Sequence, residues 1–280
     1  MLATAIIVFR EVLEAALIVG ILAAATRDVP ARNRWLTAGL LLGLLGSAVV
    51  AASTEAIASF ASGIGQELFN AIVLGIAIVM LAWHNIWMSV HGAELASHAR
   101  DVGAKIRTGI SETSILLVIV GLAVLREGSE TVLFLYGVVA SGGSSTVSML
   151  IGGLAGMLIA ILLGYGIYAG LLRVPIRWFF SATSLLVMLL AAGMASQAAK
   201  FLIQGDLIPS LGDQLWDTSN IVSEQSIWGM LLHNLVGYDA RPSGIQVLFY
   251  VAVIVIISLG MKLVSQKTFS KKSTGVVQGA

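Results

Sequence analysis

Seven long apolar stretches, at about 4–26, 36–56, 67–91, 113–139, 147–171, 178–200 and 244–262, constrain this chain more than any other feature. A helix of roughly 20 apolar residues crosses a ~30 Å hydrocarbon core. The stretches do not alternate polar with apolar residues, and lipid offers no partner for free backbone N–H and C=O groups, so they are predicted to be helices rather than barrel strands. Composition points the same way. Hydrophobic residues make up 58 % and charged residues 11 %, with mean hydropathy +0.94, whereas a soluble domain carries about 25 % charged residues to solvate its surface. A net charge of +1 leaves no basic stripe for nucleic acid, and zero Cys excludes disulfides, thiolate zinc sites and iron–sulfur ligation. The predicted fold class is an all-α integral membrane protein with seven transmembrane helices. The N-terminal run has no basic n-region and is interrupted by Arg10, Glu11 and Glu14, so it reads as the first span rather than a cleaved signal peptide.

Orientation follows from the sixteen Lys and Arg. Arg27, Arg32 and Arg34 follow span one; Arg100, Lys105 and Arg107 follow span three; Arg173 and Arg177 follow span five; Lys262, Lys267, Lys271 and Lys272 follow span seven. All of these fall on one side, which predicts an N-out, C-in topology. The opposite side has an acidic loop at 201–243, which holds Asp206, Asp213, Asp217, Glu224 and Asp239. Its stretch 227–238 is too short to span and is expected to lie in the interface or re-enter the membrane. The transmembrane domain is placed at 1–265, and the polar segment 266–280 is expected to be a disordered cytoplasmic tail.

The segment at 9–17, FREVLEAAL, recurs 116 residues later at 125–133 as LREGSETVL, keeping Arg, Glu, Glu and Leu in register. Three spans separate the copies. Spans one and four therefore cross in opposite senses, which predicts a 3+3 inverted repeat (about 1–111 and 112–200) plus a seventh helix at 244–262. Such repeats with polar interruptions at matching positions point to a midplane transport site.

Six ionisable side chains lie at depth: Arg10, Glu11 and Glu14 in span one, and Arg126, Glu127 and Glu130 in span four. Each costs about 2.5 to 3.5 kcal/mol at a helix centre, while each Leu, Ile, Val or Phe returns about 0.3 to 0.6. Span one would insert poorly unless its charges paired. Arg10 and Glu14, like Arg126 and Glu130, stand at i,i+4, so each Arg can bridge to the second Glu. Glu11 and Glu14, like Glu127 and Glu130, share a helix face. If the two faces meet, four carboxylates and two guanidinium groups surround one cavity with a formal charge of −2, suited to a hard di- or trivalent cation. A structural clasp needs one Glu per Arg, and both copies carry two.

Arg10-Glu11-Val12-Leu13-Glu14 and Arg126-Glu127-Gly128-Ser129-Glu130 match an R-E-x-x-E motif. With QELFNAIVLGIAIV at 66–79 and LVGYDARPS at 235–243, the chain resembles the oxidase-dependent iron permease family over nearly its whole length; that family includes fungal high-affinity iron permeases and bacterial EfeU-type permeases. The resemblance implies uptake of iron, Fe(II) or Fe(III), as transported substrate, with no permanently bound cofactor and no enzymatic activity. It implies Glu11, Glu14, Glu127 and Glu130 as ligands or relay groups, supported by Arg10 and Arg126. It also implies a bacterial plasma or inner membrane and a separate periplasmic or extracellular oxidase or iron-delivery protein. Gly128 is expected to loosen the helix at the site. The alternatives are a transporter of Pb(II) or Mn(II) and, more remotely, a membrane di-iron oxidase, a class that uses Glu-x-x-His pairs absent here.

Several further residues are candidates for the path. Glu67, Asp213, Asp217 and Glu224 on the outer side would collect cations by raising their local concentration, although Glu67 also suits a helix N-terminus. His91, Glu94 and His98 stand at i, i+3 and i+7 at the cytoplasmic end of span three and would form an exit site, or else a solvated helix end. His84, between Trp83 and Trp87, reads as a packed, hydrogen-bonded residue. Gly39-x-x-x-Gly43 and Gly152-x-x-x-Gly156 read as close helix contacts.

Overall fold

A computed structural model describes residues 1–60, 66–141, 145–169 and 176–277. The apolar runs are all helical: α1 (Leu2–Ala25), α2 (Arg32–Phe60), α3 (Gln66–Arg107), α4 (Ile115–Ala140), α5 (Thr146–Tyr168), α6 (Ile176–Gln204), the short α7 (Ile227–Val236) and α8 (Gly244–Val277). No strand occurs among the described residues. Five of the helices, α2, α3, α5, α6 and α8, contain a stretch long and apolar enough to cross a membrane, for example Arg32–Thr54 and Gly244–Val264. With 24 and 26 residues, α1 and α4 have the length as well, but each carries three charged side chains inside its apolar run.

The most extensive contacts are α2 on α4, α5 on α1, and α3 on α6. A shift of 116 residues carries the first three helices onto the next three, and it exchanges the α2–α4 contact with the α5–α1 contact. Both are glycine-mediated. A Cβ on Gly43 would stand 2.6 Å from Val124 Cβ and 2.8 Å from Gly121 O, and one on Gly152 or Gly156 would strike the Met1 or Ala5 carbonyl. Close backbone approach through small residues is how helices gain packing energy where lipid supplies no hydrophobic drive. Gly43→Leu should therefore wedge α2 from α4, at a cost of about 1–3 kcal/mol or more. Thermal unfolding in detergent would show it as a lowered Tm, whereas Gly75→Leu, where a Cβ meets nothing, should leave Tm unchanged.

Gly128 does not loosen its helix, contrary to expectation. α4 runs unbroken from Ile115 to Ala140, and Gly128 makes room for Ser47 of α2, whose Cβ would lie 2.7 Å from a Cβ at 128. The Ser47 hydroxyl donates to Gly43 O at 2.9 Å.

Four helices outrun their predicted spans, α2 by four residues at each end. α3 continues from 91 to Arg107 because Ala99 and Ile106 on one face of the extension are buried with Leu22, Leu36, Leu116 and Val120. This second core ties together one end of α1, α2, α3 and α4. At the other end of α6, the helix continues to Gln204. α8 continues to Val277, through the segment expected to be a disordered tail. The ten-residue α7 is capped by Ser226, which accepts from Gly229 N–H at 2.9 Å, and by Gly237 in the left-handed region at φ 70°. Its end rests on α6, where a Cβ on Gly193 would lie 2.7 Å from Gly237 Cα.

Candidate intramembrane cation site

The two charged motifs meet. α1, α3 and α4 are in mutual contact, and the faces that bear the motifs turn inward because their charges have no other polar partner at that depth. Arg10 Nε donates to Glu14 Oε1 at 3.1 Å, and Arg126 Nε donates to Glu130 Oε1 at 3.0 Å. The i,i+4 bridges expected from spacing are therefore both formed. Arg126 also lies 3.8 Å from Glu127 Oε1, and its guanidinium stacks 4.4 Å above the Trp87 ring of α3.

The pairs are alike in spacing and unlike in surroundings. Arg10 is 1 % exposed, while the Arg126 side chain is 38 % exposed. Glu11, Glu14 and Glu127 are buried, and Oε2 of each has no hydrogen-bond partner. Buried polar atoms are nearly always satisfied, and an unsatisfied carboxylate oxygen carries a large desolvation cost. Oxygens from different helices converging without donors form a ligand set for a cation.

A group that the sequence did not single out completes this set. His84 of α3 is 2 % exposed. Its Nε2 lies 3.5 Å from Glu14 Oε2 and 3.8 Å from Glu11 Oε2, and its Nδ1 contacts Glu130 Oε2. One ligand atom each from Glu11, His84, Glu127 and Glu130 fall within 4.8 Å of one another. Glu14 stands beside this set, held by Arg10. The available signal for His84 was that it lies in the middle of span three, away from Glu67 and His91 at its ends, and an ionisable group at depth is a functional candidate by default. Its flanking tryptophans favoured a packing role instead.

The secondary candidates lie apart from the cluster. Glu67 is exposed in the first turn of α3, near Gly205 at the end of α6. Asp213 accepts from the Ser210 hydroxyl at 2.7 Å, and Glu224 Oε1 accepts from Ala240 N–H at 2.8 Å. Asp217 accepts from the Ser219 hydroxyl and N–H and pairs with Arg241 at 3.1 Å. Those Ser219 bonds, and then Arg241, hold its carboxyl down at about 2. These three acids are thus engaged within the loop. Glu94 and His98 are exposed on the α3 extension, and the side chain of His91 lies outside the described residues.

A bundle with several membrane-crossing helices that holds unsatisfied carboxylates and an imidazole between them defines a multi-pass membrane transporter of cations. Comparison with known proteins supplies the cargo: residues 1–270 match the iron permease FTR1 family, and the chain belongs to it. Ferrous iron permease EfeU of Yersinia pestis is 30 % identical over 250 residues, covering 88 % of this chain and 87 % of that protein. The protein of the same name from Escherichia coli O157:H7 is 30 % identical over 243 residues, covering 85 % and 87 %. No solved structure matches the chain. The protein is an iron permease, a transporter rather than an enzyme, and the di-iron oxidase alternative is set aside.

Proposed function

We propose that the chain imports Fe(II) through the site at which the two R-E-x-x-E motifs and His84 converge. The observation that carries this is the convergence of Glu11, His84, Glu127 and Glu130 from three helices within 4.8 Å. Three carboxylates and one imidazole form a donor set of hard and borderline character that suits Fe(II) and Mn(II) better than soft ions. The relatives are named as ferrous iron permeases. Arg10 and Arg126 compensate the charge of Glu14 and Glu130 before a cation arrives, and the cation then releases those carboxylates by supplying the charge itself. The site therefore tolerates both states without burying uncompensated charge.

In this proposal α1 and α4 cross the membrane as well, making seven spans with N-out, C-in orientation. The exchange of the α2–α4 and α5–α1 contacts under the 116-residue shift supports a 3+3 inverted repeat plus α8. The membrane is the bacterial inner membrane, and a separate periplasmic protein delivers or oxidises the iron. Purified protein in proteoliposomes should take up radiolabelled Fe(II) in preference to Fe(III), with Mn(II) and Pb(II) competing only in excess. Equal uptake of Fe(III), or displacement of Fe(II) by stoichiometric Pb(II), would overturn the assignment of Fe(II).

A further inference from the structure

The central cluster leaves the path from the outer face unexplained. At the end where α1 begins and α4 and α6 finish, a cavity of about 40 Å3 lies under α7, and its lining includes Ile7, Val138, Ser141, Met194, Gln197 and His233. His233 sits in the last turn of α7, placed over α6 by the Gly193–Gly237 approach. Its Nδ1 lies 2.8 Å from Tyr238 O. A carbonyl only accepts, so the proton resides on Nδ1 and the neutral ring keeps a lone pair on Nε2. A carbonyl that fixes the tautomer in this way is the usual support behind a metal-ligating imidazole. Nε2 points to Gln197, 3.5 Å from its amide nitrogen, and that amide presents its carbonyl if turned over. The Ser141 hydroxyl donates to Val138 O at 2.8 Å, which leaves its oxygen lone pairs available. Met194 also lines the cavity, so the donors around it are uncharged.

Ile7 stands one turn before Glu11 on α1, and Phe134 one turn after Glu130 on α4. Both are fully buried, at 1 % and 0 % exposure, and the Phe134 ring meets His84 edge-on at 6.2 Å. An apolar layer thus separates the cavity from the carboxylates.

The geometry points to a loading site in this cavity for a borderline divalent cation, with His233 Nε2 and Gln197 as ligands and the Ile7–Phe134 layer as the constriction before the central cluster. The inference rests on the transport reading above and on α1 beginning at the outer face. Neutral donors hold a divalent ion weakly, so the ion is released readily to the charged cluster, which binds it more strongly. A borderline imidazole nitrogen favours Fe(II) over Mg(II) or Ca(II) at this step.

The test is the concentration dependence of Fe(II) uptake in proteoliposomes for wild type, His233→Asn and Glu127→Gln. Asparagine retains a donor for Tyr238 O and removes the Nε2 ligand. His233→Asn should raise KM about tenfold while the maximal rate stays within about twofold, the pattern of a lost binding contact away from the rate-limiting step. Glu127→Gln should lose uptake at every concentration. If His233→Asn has wild-type KM, or loses maximal rate with KM unchanged, the loading site is overturned even when Glu127→Gln is inactive. If Glu127→Gln transports normally, the central reading falls and the KM of His233→Asn still decides the cavity. Should His233→Asn fail to fold, Gln197→Leu on the continuous α6 is judged by the same KM criterion.

Discussion

Glu11→Gln and Glu127→Gln are each expected to reduce iron uptake in proteoliposomes by about 100-fold or more, since replacing even a supporting partner of a metal ligand commonly costs 10–100-fold. These two positions are equivalent under the 116-residue repeat, and both contribute to the four converging ligand atoms. Neither is the main partner of an arginine: Arg10 bonds Glu14, and Arg126 bonds Glu130 at 3.0 Å while standing 3.8 Å from Glu127. Glutamine keeps the shape and removes one charge. Loss of uptake with an unchanged elution profile would then report on the cation rather than on folding. Uptake at the wild-type rate in either variant would remove that carboxylate from the proposed site. Glu14 and Glu130 make less clean tests, because each loss also removes the main partner of an arginine, the buried Arg10 or the part-exposed Arg126.

The second large effect concerns stability and is asymmetric. Arg10→Met should destabilise the protein by about 3–5 kcal/mol, the usual cost of breaking a buried ion pair by removing one partner. Arg10 is 1 % exposed, and without it Glu14 is left with only the His84 ring at 3.5 Å. Arg126→Met should cost far less, about 0–1 kcal/mol, because its side chain is 38 % exposed and Glu130 retains its contact with His84. Thermal unfolding followed by size-exclusion chromatography would compare the two. The double variant Arg10→Met/Glu14→Gln should recover much of the loss, since no buried charge then lacks a partner. Equal Tm values for Arg10→Met and Arg126→Met would contradict the difference in burial.

Much of the architecture was legible from residue order. Continuous apolar runs identify membrane-crossing helices because lipid permits little else. The R-E-x-x-E copies at 10–14 and 126–130 mark the candidate site because charge inside an apolar helix requires a reason. The internal bridges of each motif were equally legible, since i,i+4 spacing is a property of one helix. Local pattern also had clear limits. Ala99 and Ile106 extend α3 because α1, α2 and α4 offer an apolar seat, and that seat is made of residues far away in sequence. Gly128 read as a weak point until Ser47 of α2 was found to occupy the space beside it.

Residue order alone sets the class, the recurrence of R-E-x-x-E after 116 residues and the six charges inside apolar helices, because each follows from solvent and from spacing along one helix. Helix packing is what brings His84 to those charges, encloses Arg10 while Arg126 stacks on Trp87, and sets His233 over a cavity beneath α7. These depend on which helices become neighbours and on how far each is rotated about its axis. Packing between segments distant in sequence sets both, and no period or motif within a single segment encodes them.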